Sequence, residues 1–119
     1  MGATLHVCIT CRAGQPLVEG EICAGARVHE AISALPVPEG VTVQPVECLS
    51  ACKNGASIAL TGSGRWSYIY GPVTEDDARV ILDGAAAYAA TPDGIVPWRE
   101  RPVLFRKNVI ARLPALEVS

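Results

Sequence analysis

The sequence predicts an α/β protein with two layers, in which one mixed β-sheet packs against two helices. Three observations support this class: short β-rich runs separated by glycine and proline, two longer segments with apolar residues at helical spacing, and a glycine-containing turn between two β-rich runs. The chain has 119 residues, of which 50% are hydrophobic and 18% are charged. This size and composition are typical of one globular domain.

The first predicted strand and the first predicted helix each lie next to a cysteine. Residues 4–9, TLHVCI, alternate and are rich in β-formers, so we expect a strand that ends at Cys8 or just past it. Residues 12–20 contain two glycines and a proline and are expected to form a loop. A helix follows up to Pro36, and Cys23 lies just before its start. The apolar positions at i, i+4 and i+7 of this helix are Val28, Ile32 and Leu35.

Three further strands are predicted in the middle of the chain. The run GVTVQPV, residues 40–46, predicts the second strand, and Pro45 indicates that it soon ends or lies at an edge. The runs ASIAL, residues 56–60, and RWSYIY, residues 65–70, flank the turn TGSG. This hairpin signature predicts antiparallel third and fourth strands. Residues 48–54 are expected to form the preceding loop.

A second helix is predicted from Thr74 to about Ala90. Thr74 and Asp77 have the spacing of a capping box, and acidic residues suit this positive end of a helix. The shared apolar face consists of Ala78, Ile81, Leu82 and Ala85. The resulting order β-α-β-β-β-α, with a parallel start and an antiparallel hairpin, is that of a minimal thioredoxin-like fold. We expect one domain over residues 1–90 and an extended C-terminal tail over residues 91–119 that partly packs on it.

Hydropathy and charge exclude several classes of partner. The apolar runs are far shorter than the ~20 residues needed to cross a bilayer, and the N-terminus lacks a basic segment followed by an apolar one. We therefore expect a cytoplasmic protein without a membrane partner. Residues 1–98 carry five basic and ten acidic residues, whereas residues 99–119 carry five and two. The basic residues of the tail are spaced among apolar ones and form no run with aromatics, which argues against nucleic-acid binding.

Five cysteines carry the strongest chemical signal, namely Cys8, Cys11, Cys23, Cys48 and Cys52. An odd number without an export signal disfavours structural disulfides. A [2Fe-2S] cluster needs four thiolates, two on each iron. Cys48 and Cys52, with Gly55 behind them, would hold one iron in a tight loop whose N–H groups point at the sulfurs. The other iron would take Cys8 and either Cys11 or Cys23.

Two other uses of these cysteines compete with a cluster. Zinc would accept the pairs Cys8-x2-Cys11 and Cys48-x3-Cys52 tetrahedrally, so the spacing alone leaves zinc and iron–sulfur open. A redox dithiol at Cys8 and Cys11 would have to open a helix, and the residues RAGQP after Cys11 do not continue as one. His6, between apolar neighbours, is interpreted as a satisfied core or partner-facing histidine and not as a ligand.

The N-terminal 90 residues resemble the thioredoxin-like [2Fe-2S] ferredoxins. The matching segments are LHVC ending at Cys8, EICAGARVHEAI with Cys23 before the helix, ECLSACKNGASIAL with Cys48 and Cys52, and GSGRWSYIYGPVTEDDARVIL with the hairpin aromatic Trp66. The resemblance implies a one-electron carrier with redox partner proteins. Its cluster ligands would be Cys8, Cys23, Cys48 and Cys52, with Cys11 as the alternative to Cys23.

Two features bear on this implied function. The sequence shows no Ser/His/Asp set, no phosphate-binding glycine loop and no paired carboxylates for acid–base chemistry, so we expect an electron-transfer protein and not an enzyme. The ferredoxins that it resembles are commonly dimers, so a homodimer is also expected as a possibility. The apolar contact between the two subunits of such a homodimer could come from Trp66, Tyr68 and Tyr70.

The whole chain also resembles an uncharacterised family of small predicted metal-binding proteins, through VCITCR, CLSACKNG and DGIVPWRERP. The VCxxCR pattern of that family keeps Cys11 as a rival to Cys23. A further cysteine that often follows the glycine in that family is Ala56 here, which leaves five candidates for four places. Two alternative functions stay open: a zinc-stabilised protein-binding module, and, implied by this second resemblance, an accessory protein of metal or cofactor metabolism.

Overall fold

The computed structural model describes residues 3–9, 23–46 and 56–115, apart from the side chain of Trp98. The strands in these ranges are β1 (Ala3–Cys8), β2 (Val41–Val46), β3 (Ile58–Gly62), β4 (Ser67–Tyr70) and β5 (Val109–Leu113), and the helices are α1 (Ala24–Ser33), α2 (Ala78–Ala89) and α3 (Val103–Lys107). The predicted order β-α-β-β-β-α is confirmed from β1 to α2. The loops predicted over residues 12–20 and 48–54 lie outside the described residues. No described helix has the length and apolar character needed to span a membrane.

The strands form one mixed sheet in the order β2-β1-β3-β4-β5. β1 pairs with β2 in parallel and with β3 antiparallel, while β3 with β4 and β4 with β5 are antiparallel. A parallel pair needs a crossover connection, and α1 lies in the connection between β1 and β2. Gly64, with a φ of 70°, lies in the turn between β3 and β4. The predicted parallel start and antiparallel hairpin are both confirmed.

One face of the sheet is covered by the helices. Val28 and Ile32 of α1 are buried, as predicted, whereas Leu35 lies past the end of that helix and is half-buried. The predicted apolar face of α2 is buried at all four positions, Ala78, Ile81, Leu82 and Ala85. The sheet contributes alternate buried residues, among them Leu5, Val7, Ile58 and Leu60. Since burial of one such side chain contributes about 1.5–3 kcal/mol, this interface is the main source of stability.

Both ends of α2 have hydrogen-bond partners. A short 3-10 turn, Glu75–Asp77, precedes the helix, and the Asp77 carboxylate accepts the Thr74 backbone N–H at 2.8 Å and its hydroxyl at 3.3 Å. The predicted capping box is therefore confirmed. Beyond the other end, the Arg65 guanidinium donates to the carbonyls of Thr91 and Ala89 at 3.0 and 3.1 Å. These bonds satisfy carbonyls that the helix itself cannot use and tie the hairpin to α2.

The segment after α2 contains more regular structure than the predicted extended tail. α3 buries Phe105 against Gly84 of α2, and β5 pairs with β4 as the last strand of the sheet. α3 and β5 were not predicted. Elements of five residues between prolines are too short to show a clear period. The division into a domain over residues 1–90 and a tail over residues 91–119 stays a prediction.

Candidate metal centre

Cys8 is held in the interior of the sheet. It is the last residue of β1, and only 1% of its surface is exposed. It pairs with Val46 of β2 on one side, and on the other its backbone N–H donates to the carbonyl of Ser57 at 3.2 Å. Because β1 is an inner strand, both neighbours fix this position. The predicted place of Cys8 at the end of the first strand is confirmed.

Cys23 is brought to the same place by α1. It is the N-cap residue of that helix and is half-buried. Its thiol donates a hydrogen bond to the carbonyl oxygen of Ile9, with 2.8 Å between sulfur and oxygen. Ile9 directly follows Cys8, so two cysteines from different elements lie at one end of the sheet. The predicted place of Cys23 just before the first helix is confirmed, and the positive pole of α1 at this point suits an anionic group.

We call this end of the sheet the cysteine edge and define it by Cys8, Ile9, Cys23, Val46, Ala56 and Ser57. The Ile9 backbone N–H donates to the Val46 carbonyl at 2.9 Å, which joins the ends of β1 and β2. Residues 10–22 connect Ile9 to Cys23, and residues 47–55 connect Val46 to Ala56. The remaining predicted ligands belong to these two connections, so Cys11, Cys48 and Cys52 lie outside the described residues.

The chemistry of the described cysteine edge fits part of an iron–sulfur site. Within residues 3–9, 23–46 and 56–115, no three His, Cys, Asp or Glu side chains converge as a metal-binding group. Two cysteines lie at this end of the sheet, however, Cys8 as the last residue of β1 and Cys23 as the N-cap residue of α1. Thiolates are the ligands that both iron–sulfur clusters and structural zinc use. The described pair can therefore supply half of a four-cysteine site, and the assignment of all four ligands stays a prediction.

A polar group that the sequence analysis did not single out also lies at the cysteine edge. Ser57 has only 1% of its surface exposed, and its hydroxyl has no hydrogen-bond partner among the described residues. A buried polar group without a partner costs about 1–3 kcal/mol. The sequence feature that could have pointed to Ser57 is a serine inside the apolar run ASIAL. Its relation to Cys8 depends on strand register, which that run does not reveal.

His6 has a local hydrogen-bond partner. Its Nε2 lies 2.8 Å from the Thr61 hydroxyl oxygen, across from β1 on β3. Burial lowers the pKa of His6 below its ordinary value, which favours the neutral ring. This contact agrees with the interpretation of His6 as a satisfied histidine.

The hairpin aromatics differ in their exposure. Tyr68 and Tyr70 are buried in the core, where they stack with ring centroids 5.8 Å apart. These two tyrosines are therefore core residues, because α2 and α3 cover this face of β4, and the homodimer stays a prediction. Trp66 is only partly buried, and the Arg112 guanidinium lies 5.0 Å from its ring centroid.

Solved structures define the class of fold. A thioredoxin-like [2Fe-2S] ferredoxin from Aquifex aeolicus has a TM-score of 0.59 and 17% identity, over 98% of both chains. A second structure, of the wild-type ferredoxin, also has a TM-score of 0.59, with 16% identity over 92% of this chain and 97% of that chain. A cysteine-to-serine variant of that ferredoxin has a TM-score of 0.58 and 16% identity, over 92% and 98%. At such identity the likeness shows the fold alone, and the fold is thioredoxin-like.

The family follows from sequence. The family model described as a protein of unknown function (DUF1636) matches residues 5–115, and the chain belongs to that family. No curated protein matches its sequence. Family membership brings no assigned activity, so the function has to be argued from the cysteine edge.

Proposed function

We propose that this protein is a one-electron carrier that holds a [2Fe-2S] cluster on four cysteines. The observation that carries the proposal is the bond of the Cys23 thiol to the carbonyl of Ile9, which brings Cys23 next to the end of β1. The likeness in fold to thioredoxin-like [2Fe-2S] ferredoxins, over nearly the whole of both chains, supports it. Such a carrier is not an enzyme in the strict sense.

The proposed ligands are Cys8, Cys23, Cys48 and Cys52. When bound, the cluster supplies reversible uptake of one electron. β1 and α1 position the two described thiols, and the sheet hydrogen bonds of Cys8 and Ile9 restrict their movement. A rigid holder is useful to an electron carrier, because ligands that move little between the two oxidation states keep the reorganisation small. The donor and the acceptor would be redox partner proteins.

Metal analysis of the native protein tests this function against zinc binding. Anaerobically purified protein should be red-brown, with about two irons and two inorganic sulfides per chain and an EPR signal that appears on one-electron reduction. Four cysteine thiolates would also satisfy a structural zinc ion. Stoichiometric zinc in a colourless preparation would therefore contradict the proposal and favour the zinc-stabilised module.

The identity of the fourth ligand has its own test. If Cys23 is a ligand, Cys23→Ser should change the optical spectrum of the cluster or lower its iron content, because a hydroxyl or alkoxide ligand alters the electronic structure of iron. Cys11→Ser is the matched control and should leave both nearly unchanged. The opposite result would assign the site to Cys8, Cys11, Cys48 and Cys52.

A further inference from the structure

The strongest unexplained feature at the cysteine edge is the hydroxyl of Ser57. Its residue is 1% exposed, and the hydroxyl has no hydrogen-bond partner among the described residues. Buried hydroxyls normally have a partner, so one without a partner needs an explanation. Serine here is also costly compared with alanine, which would fit the same space without the polar atom.

Strand register places Ser57 directly beside Cys8. Val7 pairs with Ile58 in the antiparallel β1–β3 ladder, and the Cys8 backbone N–H donates to the Ser57 carbonyl, which continues the same register. Residues directly opposite in such a ladder extend their side chains from the same face, with Cβ atoms about 4.5–5.5 Å apart. Val7 and Ile58 belong to the helix-covered face, so Cys8 and Ser57 share the other face.

We propose that Ser57 tunes the reduction potential of the iron–sulfur site by donating its O–H to a sulfur there, either the Cys8 thiolate or an inorganic sulfide. This inference rests on the proposed function. A thiolate or sulfide is a hydrogen-bond acceptor, whereas a neutral thiol is a weak one. A donor withdraws electron density from sulfur and stabilises the reduced state, which raises the potential. Ser57 is therefore a positioning and tuning residue, not a ligand.

The test compares three variants of the full chain loaded with its cluster. Ser57→Ala should keep the wild-type iron and sulfide content but shift the midpoint potential to a more negative value in an optical redox titration. Ser57→Thr retains the hydroxyl and should recover most of that shift. Ser67→Ala is the control, because Ser67 begins β4 at the opposite end of the sheet and pairs with Leu113. It should leave the potential unchanged.

A second measurement separates tuning from a purely structural role. In iron-free protein, urea unfolding of Ser57→Ala should give a free energy equal to or above that of the wild type, since the lost hydroxyl has no partner among the described residues. Lower stability of the iron-free variant together with an unchanged potential of the loaded variant would overturn the inference. If the wild type contains a cluster and the Ser57→Ala variant has the same midpoint potential, the inference about Ser57 is wrong and the proposed function stands. A wild type that contains zinc and no cluster would overturn the proposed function as well.

Discussion

The cysteine edge and the aromatic cluster lie in different parts of one sheet and are built on different principles. We define the aromatic cluster as Tyr68, Tyr70, Tyr88, Phe105 and Arg101. Its rings contact each other closely: the Tyr70 and Phe105 centroids are 4.4 Å apart, and Tyr68 meets Tyr88 edge-on at 6.4 Å. The Tyr88 hydroxyl donates to the Trp66 carbonyl at 2.6 Å. Most side chains of the aromatic cluster therefore have their partners among described residues.

The cysteine edge has fewer internal contacts of that kind. It contains two thiols and the N-terminus of α1. Each region also contains one buried hydroxyl without a described partner, that of Ser57 here and that of Tyr68 in the aromatic cluster. Thiolates are stabilised when they bind a metal. Packed aromatic rings are stabilised by their contacts with each other. If the proposed function is right, the aromatic cluster supports the fold and the cysteine edge depends on its cluster. The following predictions test this division, in order of decreasing effect.

Phe105→Ala should produce the largest loss of folding stability. The ring is 3% exposed and packs between Tyr70 and Gly84, so its removal leaves a cavity that α2 and β4 cannot close. We expect the free energy of unfolding to fall by about 3–5 kcal/mol. Urea denaturation of the iron-free protein measures it. Val103→Ala in the same helix is the control, because Val103 is 60% exposed and should change stability by less than about 0.5 kcal/mol.

The Phe105→Ala variant also tests whether the aromatic cluster and the cysteine edge are independent. If the aromatic cluster is structural only, the fraction of Phe105→Ala that stays folded should bind as much iron per chain as the wild type. A loss of iron from folded protein would show that the two regions are coupled.

Gly84→Ala should have a smaller effect on the same interface. A Cβ at this position would overlap the ring of Phe105. The resulting overpacking should cost about 1–3 kcal/mol, against a gain of about 1 kcal/mol in helix propensity. The double variant with Phe105→Leu should recover part of the loss, as measured by a double-mutant cycle. Strictly additive effects would contradict direct contact between the two residues.

The sequence was sufficient to predict those elements whose pattern lies within one short segment of the chain. The apolar face of α2 repeats with the helical period, and TGSG between two β-rich runs marks the hairpin. The positions of Cys8 and Cys23 followed from the same patterns, because each lies at the boundary of a clear element.

Non-local relations could not be predicted. The burial of Phe105 depends on a glycine in α2 that leaves room for its ring, which no pattern within α3 reveals. The position of Ser57 opposite Cys8 depends on the register between β1 and β3, two strands that are far apart in sequence. Short elements such as β5 gain their structure from the neighbouring strand and not from their own propensity.

Removal of iron should loosen the cysteine edge selectively. We expect the amides of Cys8 and Ile9, which donate to Ser57 and Val46, to exchange with deuterium at least about tenfold faster in iron-free protein. The amide of Ala85, in the middle of α2, should change much less. Amide exchange of loaded and iron-free protein followed by NMR or mass spectrometry measures both. Equal acceleration at all three amides would mean that the metal supports the whole domain and that the proposed division is wrong.

Tyr88→Phe should give the smallest effect, and it shows how the aromatic cluster responds to pH. Its hydroxyl bond to the Trp66 carbonyl is lost, which should cost about 1 kcal/mol at neutral pH. Burial raises the pKa of Tyr88 to about 12, so between pH 10 and 12 the unfolded chain loses this proton first. Wild-type stability should therefore decline as the pH rises through this window, and the decline should be shallower in Tyr88→Phe.

Tyr68→Phe is the control at neutral pH, because the Tyr68 hydroxyl has no described partner and its removal should not lower stability. If thermal or urea unfolding shows equal losses for both variants at pH 7, the hydrogen bond to Trp66 does not contribute to the stability of the aromatic cluster.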